Sequence, residues 1–290
     1  MNTKPTIFVA GAGLMGHGIA QTAATAGHPV LLYDLSPEAV ERGLRQIAWS
    51  LEKFHAKAPE KAPDPQEVLA RITPTTELER LAEAGVVIEA IIEKAAQKEA
   101  FFSRAEEVSS QETVFCSNTS AIPISQLAAA TRRPDRFCGM HFFNPVPLMK
   151  LVEVIRGIDT SAETVERVVT LARDFGKEPV VVERDTAGFI VNRILIASLL
   201  EAVRVLEAGL ADAEQIDAAM RLGCGHRMGP LETADLSGLD VFLHAANAIH
   251  EDTGDPKFKA PPLLARLVAA GHLGRKTGRG FYRYPREGAR

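Results

Sequence analysis

The chain has 290 residues, a hydrophobic fraction of 46% and a formal net charge of −4. This length favours two domains, and a slightly acidic chain without a dense Lys/Arg tract argues against nucleic-acid binding, although a local basic patch for one anionic ligand stays open. The three cysteines, Cys116, Cys138 and Cys224, are widely spaced and form no CxxC pair. We therefore expect no disulfide and no metal site, and we interpret the cysteines as core residues in a reducing compartment.

The beginning of the chain runs directly into a predicted strand and a glycine turn, which leaves no room for a targeting segment. Later apolar stretches such as residues 194–210 include Glu201, Arg204 and Glu207, too many charges for a membrane span. We expect a cytoplasmic protein that has no membrane partner.

Up to about residue 185, short β-branched runs alternate with longer helical patterns. This alternation predicts an α/β, Rossmann-like, doubly wound sheet that is mainly parallel. The predicted strands cover residues 6–10, 30–34, 86–90, 114–117, 137–142, 151–155 and 179–183.

A glycine motif, Gly11-Ala12-Gly13-Leu14-Met15-Gly16, follows the first predicted strand and opens a helix. The glycines permit a tight turn, the approach of a pyrophosphate and close helix packing. The second strand ends at Asp34, where a carboxylate would bind the adenine ribose and repel a 2′-phosphate. The motif therefore predicts NAD, rather than NADP, as the cofactor.

The predicted strands at 137–142 and 151–155 are joined by a short loop that contains Pro145 and Pro147. Such a loop is too short for a parallel crossover, so part of the sheet should be antiparallel. In a tight hairpin His141 would lie opposite about Lys150, three residues short of Glu153. A contact between His141 and Glu153 therefore requires a wider loop.

Beyond Gly188 helical patterns replace the strands, which predicts an all-α C-terminal domain. We place the two domains at residues 1–186 and 187–290. Asp212 and Gln215 fit a capping box, and Gly209 and Gly271 fit positions just after helix ends. The predicted helices cover residues 190–208, 212–222, 238–251 and 262–270.

Ser120, His141 and Glu153 lie in or beside successive strand-like runs. Glu153 interrupts an apolar run, where an unpaired buried charge is costly, so it needs a partner such as His141. The pair could orient an imidazole that exchanges a proton near neutral pH. The alternative, a solvated edge-strand Glu and a structural His, is not excluded by these residues alone.

Six sequence blocks spread along the chain resemble the L-3-hydroxyacyl-CoA dehydrogenase family, and in particular its bacterial 3-hydroxybutyryl-CoA members. The blocks are GAGLMGHGIAQ, SNTSAIPIS, HFFNPVPLMKLVEV, GFIVNR, MGPLETADLSGLD and GRKTGRGFY. The resemblance implies an NAD-binding first domain, a helical second domain that forms a homodimer, and an acyl-CoA thioester bound between the domains.

By this resemblance His141 is the general base, Glu153 its partner, and Ser120 and Asn192 hold the substrate oxygen. The implied reaction is oxidation of an (S)-3-hydroxyacyl-CoA to the 3-oxoacyl-CoA, with hydride passing to NAD.

Other positions match family residues around the ligands. Glu93, Lys98 and Asn118 match positions near the nicotinamide, although they could instead be helix-cap and surface residues. Ser50, Lys57 and Lys53 match positions near the nucleotide of CoA, where ammonium groups could meet a phosphate; a solvated helix end is the alternative.

Two other functions are compatible with parts of the sequence. A relative that oxidises a free hydroxy acid, such as a sugar acid or a carnitine-like substrate, would share the His and Glu. A non-catalytic NAD-binding protein would share the fold, but it would not need Ser, His, Glu and Asn together.

Overall fold

The structure is a computed structural model that describes residues 4–60 and 62–285. These residues form two compact units, one up to Asp185 and one from Thr186 onward. The outermost residues of the two predicted domains, 1–3 and 286–290, lie outside the described residues.

The first unit contains an eight-stranded sheet. Its strands are β1 Ile7–Ala10, β2 Val30–Tyr33, β3 Ile72–Thr75, β4 Val86–Glu89, β5 Val114–Ser117, β6 Phe137–Phe142, β7 Leu151–Ile155 and β8 Glu178–Val182. The spatial order is β3-β2-β1-β4-β5-β6-β7-β8. The strands β1 to β6 follow the order of a dinucleotide-binding fold. In this fold the strand order reverses between β1 and β4.

The helices of the first unit connect these strands. They are α1 Leu14–Thr25, α2 Pro37–Lys57, α3 Pro65–Leu69, α4 Ala95–Val108, α5 Ile124–Ala128 and α6 Ala162–Asp174. Ser36 caps α2 by accepting a hydrogen bond from the N–H of Ala39, and Pro37 occupies the first turn. Apolar residues of α1 and α2 pack with the strands in one core cluster, which explains why four-residue strands such as β1 are wholly buried.

All described strand pairs are parallel except β6 with β7. The predicted mixed sheet is therefore confirmed. The strand β3 was not predicted: it lies at the edge of the sheet, with Thr73 and Pro74 exposed. Edge strands tolerate proline and need only one buried face, so their sequences lack a continuous β-branched run.

The second unit is helical, as predicted. Its helices are α7 Val191–Glu207, α8 Ala213–Cys224, α9 Pro230–Ser237, α10 Leu239–Thr253 and α11 Pro262–Ala269. The capping box of Asp212 and Gln215 is present, and Gly209 and Gly271 have φ values of 69° and 73°. Both features of the prediction are confirmed, whereas α9 was not predicted, although proline at its first position is a typical helix-start signal.

The interpretation of all three cysteines as core residues is wrong for one of them. Cys116 and Cys138 are buried in the sheet, but Cys224 is exposed at the end of α8. The residue type favours burial, whereas the exposed last turn of α8 decides the outcome.

Candidate active site

The glycine turn after β1 has the geometry that a pyrophosphate requires. Gly11 has φ 99°, and a Cβ there would be 2.6 Å from the carbonyl oxygen of Ala90; a Cβ on Gly16 would be 1.7 Å from the carbonyl oxygen of Gly11. A Cβ on Gly13, in contrast, would meet nothing within 4 Å. The first and third glycines thus permit backbone packing, and the second leaves an open approach.

Asp34 is held beside this turn. Its Oδ2 accepts a hydrogen bond of 2.9 Å from the backbone N–H of Ala12, and its Oδ1 accepts one of 3.2 Å from Ser36. Leu14, at the start of α1, is 65% exposed, and Met15 is half-buried next to it. An open glycine turn with a carboxylate at the end of the neighbouring strand fits the phosphates and adenine ribose of a dinucleotide.

His141 and Glu153 form a buried pair across the one antiparallel strand pair. They lie directly opposite each other in the register of β6 and β7, and Nδ1 of His141 is 2.8 Å from Oε2 of Glu153. The two residues are only 6% and 1% exposed. A carboxylate only accepts hydrogen bonds, so Nδ1 of His141 is the donor in this contact.

The loop between β6 and β7 is wide enough for this contact, as predicted. The N–H groups of Leu148 and Met149 both donate to the carbonyl of Pro145, which forms a compact turn. Lys177, only 7% exposed, donates from Nζ to the carbonyls of Val146 at 2.6 Å and Met149 at 2.9 Å. Burial lowers the pKa of Lys177, because it removes water from around the charged ammonium group. The two carbonyls replace part of that water as hydrogen-bond acceptors.

Lys98 forms ion pairs with two carboxylates, one at the end of β4 and one in the loop that follows this strand. Its side chain is 1% exposed, with Nζ 2.5 Å from Oε1 of Glu89 and 3.2 Å from Oε2 of Glu93. Burial raises the pKa of Glu89, in spite of Lys98 and a hydrogen bond from Ser117. The alternative in which Lys98 is a surface residue is therefore wrong.

Glu93 connects this cluster to Ser120. Its Oε1 accepts hydrogen bonds from the hydroxyl of Thr119 at 2.5 Å and from the backbone N–H of Ser120 at 2.9 Å. Burial alone would raise the pKa of Glu93, but Lys98, Thr119 and Ser120 lower it overall. The ion pairs thus hold the loop that begins α5, and with it the hydroxyl of Ser120.

Asn118 connects the same loop to β6. Its Oδ1 accepts a 2.8 Å hydrogen bond from the backbone N–H of Phe142, the residue after His141. Asp185 fixes the other end of the loop, because its carboxylate accepts hydrogen bonds from Ile124 and Ser125 at the start of α5.

The remaining predicted residues lie on other elements. Asn192 lies in the first turn of α7, in the second unit, and is half-buried. Ser50, Lys53 and Lys57 lie on the C-terminal half of α2, beside a space of about 270 Å³ that Pro145 and Pro147 also line.

The sequence reasoning missed Glu89 and Lys177. Glu89 follows the apolar residues Val86, Val87 and Ile88, so the signal used for Glu153, a charge within an apolar run, could have found it. Lys177 has no comparable signal, because it lies in a polar turn between α6 and β8.

The structure shows neither a metal cluster nor a membrane span in its described part. Within residues 4–60 and 62–285, no group of three His, Cys, Asp or Glu side chains could hold a metal ion. No helix in the same residues is long and apolar enough to cross a membrane.

Known proteins resemble the chain in both sequence and fold. The 3-hydroxybutyryl-CoA dehydrogenase of Clostridioides difficile is 44% identical, over 96% of this chain and 99% of the relative. The mitochondrial hydroxyacyl-coenzyme A dehydrogenase of Sus scrofa is also 44% identical, over 96% and 90%. The crystal structure of (S)-3-hydroxybutyryl-CoA dehydrogenase from Ralstonia eutropha superposes with a TM-score of 0.94 at 44% identity, covering 97% of this chain and 99% of the other.

Two family models together match almost the whole chain. The NAD binding domain of 3-hydroxyacyl-CoA dehydrogenase matches residues 6–186, and the C-terminal domain of the same family matches residues 188–284. The resemblance inferred from the six sequence blocks is thereby confirmed. With an open glycine turn, Asp34 and a buried His–Glu pair in its first unit, the chain belongs to the 3-hydroxyacyl-CoA dehydrogenase family of NAD-dependent oxidoreductases.

Proposed function

We propose that this protein catalyses the reversible, NAD-dependent oxidation of short-chain (S)-3-hydroxyacyl-CoA thioesters, such as 3-hydroxybutyryl-CoA, to 3-oxoacyl-CoA. The observation that carries this proposal is the 2.8 Å contact of His141 with Glu153 in an NAD-binding domain of this family. The names of the relatives from Clostridioides difficile and Ralstonia eutropha support the short-chain thioester.

His141 is the general base of the proposed reaction. Glu153 holds the proton on Nδ1, so Nε2 takes the proton of the substrate hydroxyl, and the carboxylate stabilises the imidazolium that forms. NAD, when bound, accepts the hydride from C3 of the substrate. In the reductive direction the imidazolium of His141 returns its proton to the oxygen.

Ser120 and Asn192 are the proposed hydrogen-bond donors to the substrate oxygen. Support for Ser120 comes from the hydrogen bonds of its backbone N–H and of Thr119 to Glu93, because a donor is effective when it is held in place before the reaction. Support for Asn192 is its match to the family block GFIVNR.

The proposed ligand contacts follow from the same resemblance. Glu93, Lys98 and Asn118 would face the nicotinamide. The position of Glu93 in the loop after β4, and of Lys98 near the start of α4, supports this. Dinucleotides bind across the carboxyl ends of such strands, at the point where the strand order of the sheet reverses. Ser50, Lys53 and Lys57 would contact CoA.

The experiment compares substrates in the reductive direction. Consumption of NADH is followed with acetoacetyl-CoA and then with acetoacetate and other free keto acids, and we expect turnover of the thioester only. Faster turnover of a free acid would favour the second candidate, a hydroxy-acid dehydrogenase. No turnover of any substrate, with NADH binding retained, would favour a non-catalytic NAD-binding protein.

We also propose that the protein is a cytoplasmic homodimer that associates through its second unit, residues 187–290 by the sequence division. This proposal is based on the family resemblance. Large apolar side chains of that unit that are exposed in the single chain include Leu210 at 73% and Leu222 at 87%, and association would cover them if they lie in the interface.

A further inference from the structure

Glu89 is a fully buried carboxylate to which the proposed mechanism assigns no role. It ends β4 and is 0% exposed. Its Oε1 accepts hydrogen bonds from Nζ of Lys98 at 2.5 Å and from the backbone N–H of Ile91 at 2.8 Å. Its Oε2 accepts one from the hydroxyl of Ser117 at 2.6 Å. Since the two groups that face Oε1 are donors only, this arrangement suits an ionised carboxylate.

Glu89, Lys98 and Glu93 form a charge cluster with one positive and two negative groups. Nζ of Lys98 pairs with both carboxylates, and among residues 4–60 and 62–285 it is the only cation within 4.0 Å of either. One negative charge is therefore left without a counter-charge. Because the inner end of the cluster is buried, this charge is screened less than a charge on the surface.

The charge cluster extends from the interior of the first unit towards its surface. The side chains of Glu89 and Lys98 are 0% and 1% exposed, whereas that of Glu93 is 35% exposed. Glu93 also accepts the hydrogen bonds from Thr119 and from the backbone N–H of Ser120. The negative charge therefore reaches the residues that are proposed to contact the ligands.

The charge cluster lies on the side of the sheet where the nicotinamide is expected. Asp34, the predicted partner of the adenine ribose, follows β2, and β4 lies beyond the point at which the strand order reverses. A dinucleotide crosses this point with its two nucleotide halves on opposite sides. The nicotinamide half therefore faces the carboxyl ends of β4 and β5, where Glu89 pairs in register with Ser117.

The charge of the cofactor changes at this place during the reaction. The nicotinamide ring of NAD⁺ is positively charged, and the hydride that it accepts removes this charge. A negative cluster attracts the oxidised ring and gives the neutral ring of NADH no such attraction. The net charge of the cluster thus acts on the ratio of the two cofactor affinities.

We propose that Glu89 shifts the site in favour of NAD⁺ over NADH, because its carboxylate leaves the charge cluster with a net negative charge. Without this charge, Lys98 would neutralise Glu93, and the attraction to the oxidised ring would be lost. Because Glu89 is fully buried, it is a positioning residue that acts through Lys98 and Glu93. This inference rests on the proposed function, which places Glu93 and Lys98 at the nicotinamide.

Calorimetric titration of the whole protein with NAD⁺ and with NADH tests the inference. Glu89→Gln keeps the shape of the side chain but removes its charge. The Kd for NAD⁺ divided by the Kd for NADH should rise about tenfold, the order expected for a unit charge roughly 10 Å away at an effective dielectric constant of about 20. The potential of the bound cofactor couple would then rise by about 30 mV. An unchanged ratio would overturn the inference.

Two control variants separate charge from structure. Glu89→Asp keeps the charge but shortens the side chain, so the ratio should stay close to the native value even if the melting temperature falls. Glu107→Gln removes an exposed charge from α4, the helix that contains Lys98, and should leave the ratio unchanged. If Glu89→Asp moves the ratio as far as Glu89→Gln does, the effect is structural and the inference fails.

Glu93→Gln provides the test if Glu89→Gln does not fold. It removes one unit of charge from the more exposed end of the same cluster, so it should also raise the ratio of the Kd for NAD⁺ to the Kd for NADH. An unchanged ratio in this variant would show that the charge of the cluster does not act on the cofactor, and the inference would fail.

The outcomes separate this inference from the proposed function. If the native protein reduces acetoacetyl-CoA but Glu89→Gln leaves the ratio of cofactor affinities unchanged, the inference fails and the proposed function stands. If the ratio moves as expected but the native protein reduces no thioester, the proposed function fails and the effect of Glu89 on cofactor binding stands. If the native protein binds neither cofactor, both fail.

Discussion

Glu153 shows how a single charged residue in an apolar strand can indicate a functional site. It lies in a strand whose other residues are apolar, and it is 1% exposed. Breaking a buried pair by removing one partner costs about 3–5 kcal/mol, so such a carboxylate is kept only together with its partner. His141 opposite Glu153 supplies that partner.

The replacement His141→Ala tests the proposed base. We expect kcat for acetoacetyl-CoA to fall by about 100-fold or more, the usual contribution of a positioned acid–base group. Binding of NAD should be unchanged, because the glycine turn and Asp34 lie on other elements. Measuring both on the same sample is decisive: near-normal turnover with intact NAD binding would remove this role from His141.

Glu93 gives a pH-dependent prediction. Its folded pKa is lowered, so the carboxylate stabilises the protein above its unfolded pKa, and this contribution is lost as the pH falls through the folded pKa. We expect Glu93→Gln to lower the free energy of unfolding by about 1–2 kcal/mol at neutral pH, with a smaller difference in acid.

Urea unfolding of the native protein and of Glu93→Gln, each at neutral pH and in acid, measures the free energies of unfolding that check this prediction. Glu107→Gln is the matched control, since Glu107 is an exposed glutamate whose ion-pair partner, Arg104, lies in the same helix, α4. A difference between Glu93→Gln and native protein that grows as the pH falls would contradict the assigned sign.

At the scale of elements, the loop between β6 and β7 determines whether the His–Glu pair can form. Counting residues from the sequence showed that a tight hairpin would place His141 opposite about Lys150. The means of holding the loop open was not predictable, because it comes from Lys177, which is distant in sequence, and from Gly18 on α1. A Cβ on Gly18 would be 2.9 Å from Cβ of Val146, so the loop packs directly on the helix that follows the glycine turn.

The replacement Lys177→Met tests whether Lys177 holds the loop between β6 and β7 open. It keeps an apolar stem but leaves the carbonyls of Val146 and Met149 without their donor, which should shift the loop and the register of His141 with Glu153. We expect kcat to fall about tenfold, since small displacements of reacting groups are costly, while the KM for NAD stays the same. Lys177→Arg, which retains a donor, should recover part of the loss.

A purely structural role of Lys177 would give a different result. In that case the melting temperature of Lys177→Met would fall, but kcat measured well below that temperature would stay at the native value.

At the scale of the whole molecule, the two units differ in the sequence patterns that predict their structures. The first unit alternates strands and helices and has a glycine turn, while the second shows helical periodicity with capping signals at its ends. Both patterns are local, so the α/β and all-α classes were predictable. The edge strand β3 was not predicted, because it contains a proline and exposes its two central residues. The helix α9 was not predicted either, although its first residue, Pro230, is a helix-start signal.

The oligomeric state is a prediction at this scale. Analytical ultracentrifugation should give a mass of two chains at micromolar concentration, as expected if exposed side chains such as Leu222 are covered by association. A single-chain mass over the same concentration range would contradict the proposed homodimer.

The cofactor fingerprint, the fold class and the family were predictable from the residues alone, because these depend on the spacing of neighbouring residues and on long matching blocks. It also identified His141 and Glu153 as candidates, since a charge in an apolar strand is visible without a structure. The three-dimensional structure was needed to show that His141 and Glu153 meet, that Lys98 joins Glu89 to Glu93, and that Lys177 holds the loop. Those contacts join residues from different elements, and their distances depend on how the sheet and the helices pack, which no local pattern specifies.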